Sequence, residues 1–277
     1  MRKPVAFVAF LFAVWNSLDE QALRYRASLS EQQHLLHIKK IRDQLLFGAL
    51  LLVLGYGIGD RPFFDEYLGP LVDKDAKLAP YRELLSFTYW SGAKLLGYGI
   101  LPALYLCLRK EKLSDFGLSF QNTLPTDEKI RLPSVRIYLV LFAVILPWIV
   151  LVSFTQSFQQ SYPFYGKSGR SWFDFLVWET EYLLTFVAVE FFFRGYLLFG
   201  LRRYLGSLSV FISMVPYALI HVLKPTPEAI GSIFAGLLLG TLALCTGSLW
   251  SGVLLHISVA LSMDVLSSLQ TGRLPKW

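Results

Sequence analysis

Apolar residues in this chain are gathered into long runs separated by short polar stretches, rather than spaced in the alternating pattern of soluble strands. A helix needs about 20 consecutive apolar residues to cross a bilayer, and most of these runs approach that length. Backbone polar groups inside a bilayer must be satisfied internally, which favours helices. The pattern therefore predicts an all-α fold, a polytopic bundle of transmembrane helices. The seven predicted spans cover residues 45–59, 84–108, 137–154, 173–201, 205–223, 227–245 and 249–269.

The first apolar run, residues 1–18, differs from the others because it is short and follows Arg2 and Lys3. We expect a short anchoring helix at the membrane interface, and the number of spans becomes eight if this run crosses the bilayer. A cleaved signal peptide is an alternative, although no small-residue cleavage site follows the run. The segment that comes next, up to residue 43, is polar.

Composition supports the same class, since 54% of the residues are hydrophobic and only 17% are charged. The mean hydropathy of +0.48 exceeds that of soluble domains. The net charge of +6 does not indicate nucleic-acid binding, because Lys and Arg gather in the loops between runs. Basic loops at 17–43, 109–136 and 202–203 predict a cytoplasmic side. We therefore expect a multi-pass protein of the cell membrane, plasma or inner, with the lipid bilayer as its surroundings.

Three segments of different character divide the chain into predicted domains. Residues 1–43 form the N-terminal apolar helix and polar segment, residues 44–160 accessory transmembrane helices, and residues 171–270 a core bundle. The four runs of the core are joined by only a few residues, which forces neighbouring helices to be antiparallel. Gly236 and Gly240 give one of them a face that permits close helix approach.

Candidate chemistry lies in this core, where ionisable residues interrupt apolar runs. Glu190 and Arg194 are four residues apart, so they share one helix face and can form an ion pair. Charges at membrane depth are costly, and they persist either as packing pairs or because function requires them. His221 and His256 lie on two further runs, where each could simply hydrogen-bond across a helix interface. If Glu190 and both histidines converge, they could polarise water for attack on an amide or bind a metal.

Four motifs in order carry a family resemblance. They are the Glu-Phe-Phe-Phe-Arg-Gly sequence at 190–195, Tyr217-x-x-x-His221, Phe-Ala-Gly at 234–236, and Thr-Gly-Ser at 246–248 leading to His256. In this order and spacing, the chain resembles the CAAX-protease and bacteriocin-processing family of intramembrane endopeptidases, also called the Abi or type II CAAX-endopeptidase family. Residues 112–118 also resemble a short segment that often precedes the core in this family.

The resemblance implies roles for the matched residues. The family motifs are Glu-Glu-x-x-x-Arg, Phe-x-x-x-His and His-x-x-x-Asn. By this comparison Glu190 holds Arg194, His221 orients the attacking water, and His256 stabilises the oxyanion. The chain departs from the family where the first Glu falls on Val189 and the closing Asn falls on Ala260, and Tyr217 replaces a Phe.

The family's general base is therefore missing at Val189. Glu179 and Glu181 do not replace it on a straight helix, because one lies too far along the axis and the other points away. Glu190 could serve as the base instead, with a weaker hold on Arg194.

The sequence leaves three functional hypotheses open. The first is an intramembrane endopeptidase whose catalytic candidates are Glu190, Arg194, His221 and His256, acting on a peptide or membrane-protein substrate. The second is a catalytically impaired family member that acts as a membrane binding, immunity or scaffold protein. The third is a small-solute transporter, although no internal repeat supports it. No cofactor is assigned, and zinc held by Glu190, His221 and His256 is left open.

Overall fold

The computed structural model describes residues 6–119, 134–224 and 226–275, and this part of the chain is helical without strands. Half of the basic loop predicted at 109–136, residues 120–133, therefore lies outside the described residues. The long helices, labelled in chain order, are α1 (Ala6–Ala27), α2 (Glu31–Gly57), α3 (Ala79–Leu108), α4 (Ser134–Ser153), α5 (Trp172–Leu205), α6 (Leu208–Leu219), α7 (Thr226–Thr246) and α8 (Trp250–Thr271). Short helical segments occupy Arg61–Phe63, Phe64–Leu68, Gly69–Val72, Leu113–Phe116, Gln156–Ser161 and Ser168–Arg170.

Each of the seven predicted apolar runs lies on a helix, and the all-α polytopic bundle is confirmed. By length and hydropathy, α3, α5, α8 and the Glu228–Thr246 part of α7 can each cross a membrane. A fifth candidate span is α2 together with Arg61–Val72, which are bent by 48° relative to each other. The apolar parts of α4 and α6 are shorter, so the described residues give four to five spans of full length.

Helices α3 and α5 each contain a π-helical stretch, in which backbone hydrogen bonds close wider turns than in an α-helix. These stretches cover Leu95–Ile100 in α3 and Phe191–Phe199 in α5. The stretch in α5 has nine residues, every one of them buried. Long π-segments are rare, and π-turns occur frequently at functional sites. The π-segment of α5 begins directly after Glu190.

The described helices divide into two compact units, each built from three separate parts of the chain. Unit one comprises residues 1–50, 102–134 and 190–252, and unit two comprises 51–101, 135–189 and 253–277. The predicted core at 171–270 contributes residues to both units. The three-segment division of the chain stays a prediction of the sequence.

Unit one is held together around the contact of α6 with α7. A Cβ added at Gly236 would lie 2.8 Å from Met214 Cγ, and one added at Gly240 would lie 3.3 Å from Val210 Cγ1. A Cβ at Gly236 would force a neighbour to shift, and one at Gly240 would displace Val210 by a few tenths of an ångström, so the two glycines allow the helices to approach closely. This is the close helix approach that the Gly236–Gly240 spacing predicts.

Unit two has an aromatic core that holds the first half of α5. Trp178 is fully buried, stacks on Tyr182 and donates from Nε1 to Asp264 Oδ2 over 2.9 Å. The start of α5 is capped by Ser171 and Asp174, since the Asp174 amide donates to Ser171 Oγ over 3.1 Å. Tyr165 donates its hydroxyl to Asp174 over 2.6 Å. These contacts fix where α5 begins.

The buried phenol of Tyr165 gives this cap a dependence on pH. Burial and then the hydrogen bond to Asp174 raise the pKa of Tyr165 above its usual value. The folded state therefore holds the phenol proton more tightly than the unfolded chain, whose phenols titrate near pH 10. We expect the free energy of unfolding to fall as pH rises above about 10. Unfolding curves measured in detergent should lose part of this alkaline slope in Tyr165→Phe, and an unchanged slope would contradict the assignment.

Candidate active site

Glu190 and Arg194 form a buried ion pair at the start of the π-segment in α5. Arg194 Nη1 lies 3.2 Å from Glu190 Oε1, and the side chains are 2% and 0% exposed, respectively. The pairing predicted from their spacing is therefore present. A buried charge is tolerated when its partner is in place, whereas removing one partner leaves the other uncompensated. Each of these two side chains thus depends on the other for its position.

Tyr217 of α6 connects this pair to His221. The Arg194 guanidinium carbon lies 4.1 Å from the centre of the Tyr217 ring. At this distance a cation is attracted to the face of an aromatic ring. The Tyr217 ring is in turn 4.7 Å from the His221 ring. Unit one therefore brings Glu190, Arg194, Tyr217 and His221 into one continuous set of contacts. Sequence reasoning placed Tyr217 in the motif but gave it no role of its own.

The end of α6 determines how the His221 ring is held. In an α-helix the His221 amide would donate to the Tyr217 carbonyl, but here it donates to Ala218 O over 3.0 Å. The Tyr217 carbonyl instead lies 2.8 Å from Nδ1 of His221. A carbonyl oxygen only accepts, so Nδ1 carries the proton in this bond. The neutral imidazole then has its lone pair on Nε2, the arrangement that suits a base or a ligand.

The segment that resembles a family feature, residues 112–118, packs against this region within unit one. Gly117 has a left-handed backbone with φ of +80°, and its carbonyl accepts from the Leu249 amide over 3.0 Å. A Cβ added at Gly195 would lie 3.0 Å from the Phe116 carbonyl oxygen. Both glycines thus permit close backbone approach. The segment ties the π-segment of α5 to the turn before α8.

Gly252, near the start of α8, lies directly beside the Glu190 carboxylate. A Cβ built on Gly252 would be 2.9 Å from Glu190 Oε2 and 3.5 Å from its Cδ. The carboxylate has little room to move away, because its side chain is fully buried and paired with Arg194. No sequence motif pointed to Gly252, since its importance arises only from the packing of α8 against α5.

We expect Gly252→Ala to destabilise the protein by about 1–3 kcal/mol, the usual cost of forcing extra atoms into a packed site. Gly231→Ala is the matched control, because Gly231 is also helical and nothing lies within 4 Å of an added Cβ there. That control should be neutral or slightly stabilising. Unfolding of both variants in detergent measures the difference. Equal stability of the two variants would show that the carboxylate is not confined at Gly252.

His256 lies in unit two, on α8, where its ring is half-buried and stands 4.4 Å from the ring of Phe186. The convergence of His256 with the residues of unit one stays a prediction of the sequence. Across residues 6–119, 134–224 and 226–275, no three His, Cys, Asp or Glu side chains form a group that could hold a metal ion. Zinc held by Glu190, His221 and His256 stays a prediction of the sequence.

Comparison with known proteins agrees with the motifs. Residues 171–262 match the family model described as type II CAAX prenyl endopeptidase Rce1-like. No curated protein and no solved structure matches the chain. The match covers Glu190, Arg194, His221 and His256, and it ends shortly after Ala260. Residues 171–262 are therefore similar to the Rce1-like type II CAAX prenyl endopeptidase family, in agreement with the motifs.

Proposed function

We propose that the protein is an intramembrane endopeptidase that hydrolyses a peptide bond with water activated by His221. The observation that carries this proposal is the continuous set of contacts from Glu190 through Arg194 and Tyr217 to His221. The hydrogen bond from Nδ1 to the Tyr217 carbonyl holds the ring in the tautomer that can accept a proton at Nε2. In the family, the first Glu of the motif is the expected base, but this chain has Val189 at that position. His221 therefore supplies the base instead.

In this mechanism water gives a proton to Nε2 of His221, and the hydroxide adds to the carbonyl carbon of the scissile amide. The tetrahedral intermediate collapses with cleavage of the C–N bond. The proton on Nε2 passes to the departing nitrogen, which leaves as an amine, so His221 returns to its neutral form. Glu190 and Arg194 are positioning residues, because they act on His221 through Tyr217 rather than on the reacting atoms.

His256 completes the proposal as the group that stabilises the oxyanion. The family comparison implies this role, and an imidazole N–H aimed at the developing negative charge would lower the barrier. The family description suggests a substrate with a prenylated cysteine near its C-terminus. A prenyl chain partitions into the bilayer and would bring such a peptide to a site between membrane helices.

A second candidate function, a family member without catalysis that binds a membrane peptide, is favoured by the environment of Glu190. Its carboxylate is already paired with the Arg194 guanidinium at 3.2 Å, so it is engaged in an ion pair rather than presented to water. Val189, at the position of the family's first Glu, cannot accept a proton. This candidate keeps the same fold and the same contacts but predicts no hydrolysis.

The two functions are separated by Val189→Glu, which restores the family's paired carboxylates. The measurement is the rate at which purified protein in vesicles cleaves a farnesylated peptide. We expect the wild type to cleave it and Val189→Glu to cleave it about tenfold faster or more. The reason is that a positioned base contributes typically 10²–10⁴-fold to the rate. Val187→Glu, with the same charge two residues earlier, should show no gain. Cleavage only by Val189→Glu would favour the impaired family member. Failure of both proteins to cleave would overturn the endopeptidase proposal.

A further inference from the structure

A second polar site in unit one does not include Glu190, Arg194, Tyr217 or His221. It is a cavity of about 320 Å³ formed by residues 25–44, 105–116 and 199–204. Its lining contains four cations and two carboxylates, so positive charge is in excess. The cations are Lys40, Arg109, Arg202 and Arg203, and the carboxylates are Glu111 and Asp115.

The excess charge is concentrated on Arg202 and Arg203. Lys40 is paired with Glu111 at 3.1 Å, and Arg109 lies 3.9 Å from Asp43. In the described part of the chain, neither Arg202 nor Arg203 has a carboxylate within 4.0 Å. The Nε atom of Arg202 is also buried without a hydrogen-bond partner among the described residues. Burying such a donor without a partner is unfavourable, and a bound anion would offset that cost.

The place of the cavity along the helices indicates the source of the anion. Lys40 precedes the apolar run that begins at residue 45, Arg109 follows the last residue of α3, and Arg202 follows the apolar run that ends at residue 201. Cations at the ends of apolar helices lie at the depth of lipid headgroups. Basic pockets between transmembrane helices bind the phosphate groups of anionic lipids.

We propose that this cavity binds a phosphate group, and that an anionic phospholipid headgroup supplies it. The planar guanidinium forks of Arg202 and Arg203 match the geometry of phosphate oxygens. The donor at Arg202 Nε would reach an oxygen that the protein itself does not provide. The hydroxyl of Tyr25 lies at the same cavity beside His37, with 2.8 Å between Tyr25 Oη and His37 Nε2. This site does not depend on proteolysis, so it stands or falls separately from the proposed function.

The test is a titration of full-length protein in detergent with short-chain phosphatidylglycerol, with phosphatidylcholine and with inorganic phosphate, followed by calorimetry. We expect phosphatidylglycerol to bind, and Arg202→Gln and Arg203→Gln each to weaken binding about tenfold or more, since each loses charge-assisted hydrogen bonds. Arg203 is exposed, so its variant keeps the test valid if Arg202→Gln folds poorly. Arg24→Gln is the control for net charge, because Arg24 is exposed and does not line the cavity.

The three ligands distinguish the sources of the phosphate. If phosphatidylglycerol alone binds, and Arg202→Gln and Arg203→Gln both lose this binding, the site recognises a lipid headgroup. If inorganic phosphate also binds and both variants lose that binding, the phosphate site is supported but its ligand is a free anion. Equal binding of phosphatidylcholine, or equal weakening by Arg24→Gln, would overturn the proposal, since the attraction would then not arise in the cavity. Unchanged affinity in both cavity variants would overturn it as well.

Discussion

Replacing His221 by alanine is expected to lower kcat/KM for peptide cleavage by about 10²–10⁴-fold, the usual contribution of a positioned general base. The physical reason is that the imidazole, held by the Tyr217 carbonyl at 2.8 Å, presents its lone pair on Nε2. Truncation removes the proton acceptor and leaves water as weak a nucleophile as it is in bulk. The measurement is the rate of cleavage of a farnesylated peptide by reconstituted protein.

A matched control shows whether the loss is specific. His34 is also half-buried in unit one and its ring nitrogen lies 3.2 Å from the hydroxyl of Tyr204. His34→Ala removes an imidazole of similar burial and should leave kcat/KM within about twofold, as expected for a residue away from the chemistry. If His221→Ala and His34→Ala lose activity equally, or neither does, His221 is not the base. Unfolding curves of both variants exclude a trivial loss of folded protein.

Arg194→Gln is expected to destabilise the protein by about 3–5 kcal/mol, the cost of leaving a buried charge without its partner. Glu190 is fully buried, and the guanidinium is the cation beside its carboxylate. The variant also loses the contact of the guanidinium with the Tyr217 ring. Unfolding in detergent at fixed pH measures the change. Arg24→Gln removes an exposed ion-pair cation and should cost less than about 1 kcal/mol.

The double variant Glu190→Leu/Arg194→Met sharpens this prediction. Replacing both members of a buried pair by apolar residues of similar size is often neutral or stabilising, because neither charge then needs to be desolvated. We expect the double variant to recover most of the stability lost in Arg194→Gln. A double variant as unstable as the single one would contradict the view that the destabilisation comes from an uncompensated carboxylate.

The sequence is sufficient to predict the helical fold and the ion pair. Runs of apolar residues near the length of a bilayer admit few structures other than helices, because unsatisfied backbone groups are costly there. A Glu and an Arg four residues apart inside such a run almost determine their own pairing, since the cost of each charge is offset mainly by the other. The order of the motifs around His221 and His256 was enough to predict the similarity to this family, which the match at 171–262 confirms.

Other features could not be predicted from residue types. The π-helical stretch at Phe191–Phe199 has no periodic signal of its own, and it invalidates arguments that assume a straight α-helix beyond Glu190. The contact of Gly252 with the carboxylate and the role of Tyr217 depend on which faces of separate helices meet. The orientation of His221 results from the tightened end of α6, a local backbone event that sequence alone does not reveal.

The most direct test of the account is the protonation of the His221 ring, because the proposed chemistry requires the lone pair on Nε2. Nitrogen NMR of protein labelled at histidine, with the His221 signals assigned by comparison with His221→Gln, distinguishes the two neutral tautomers. We predict that in the neutral ring the proton is on Nδ1, where the Tyr217 carbonyl accepts it at 2.8 Å. A neutral His221 with its proton on Nε2 would contradict the account, because that ring could not accept a proton from water at the proposed atom.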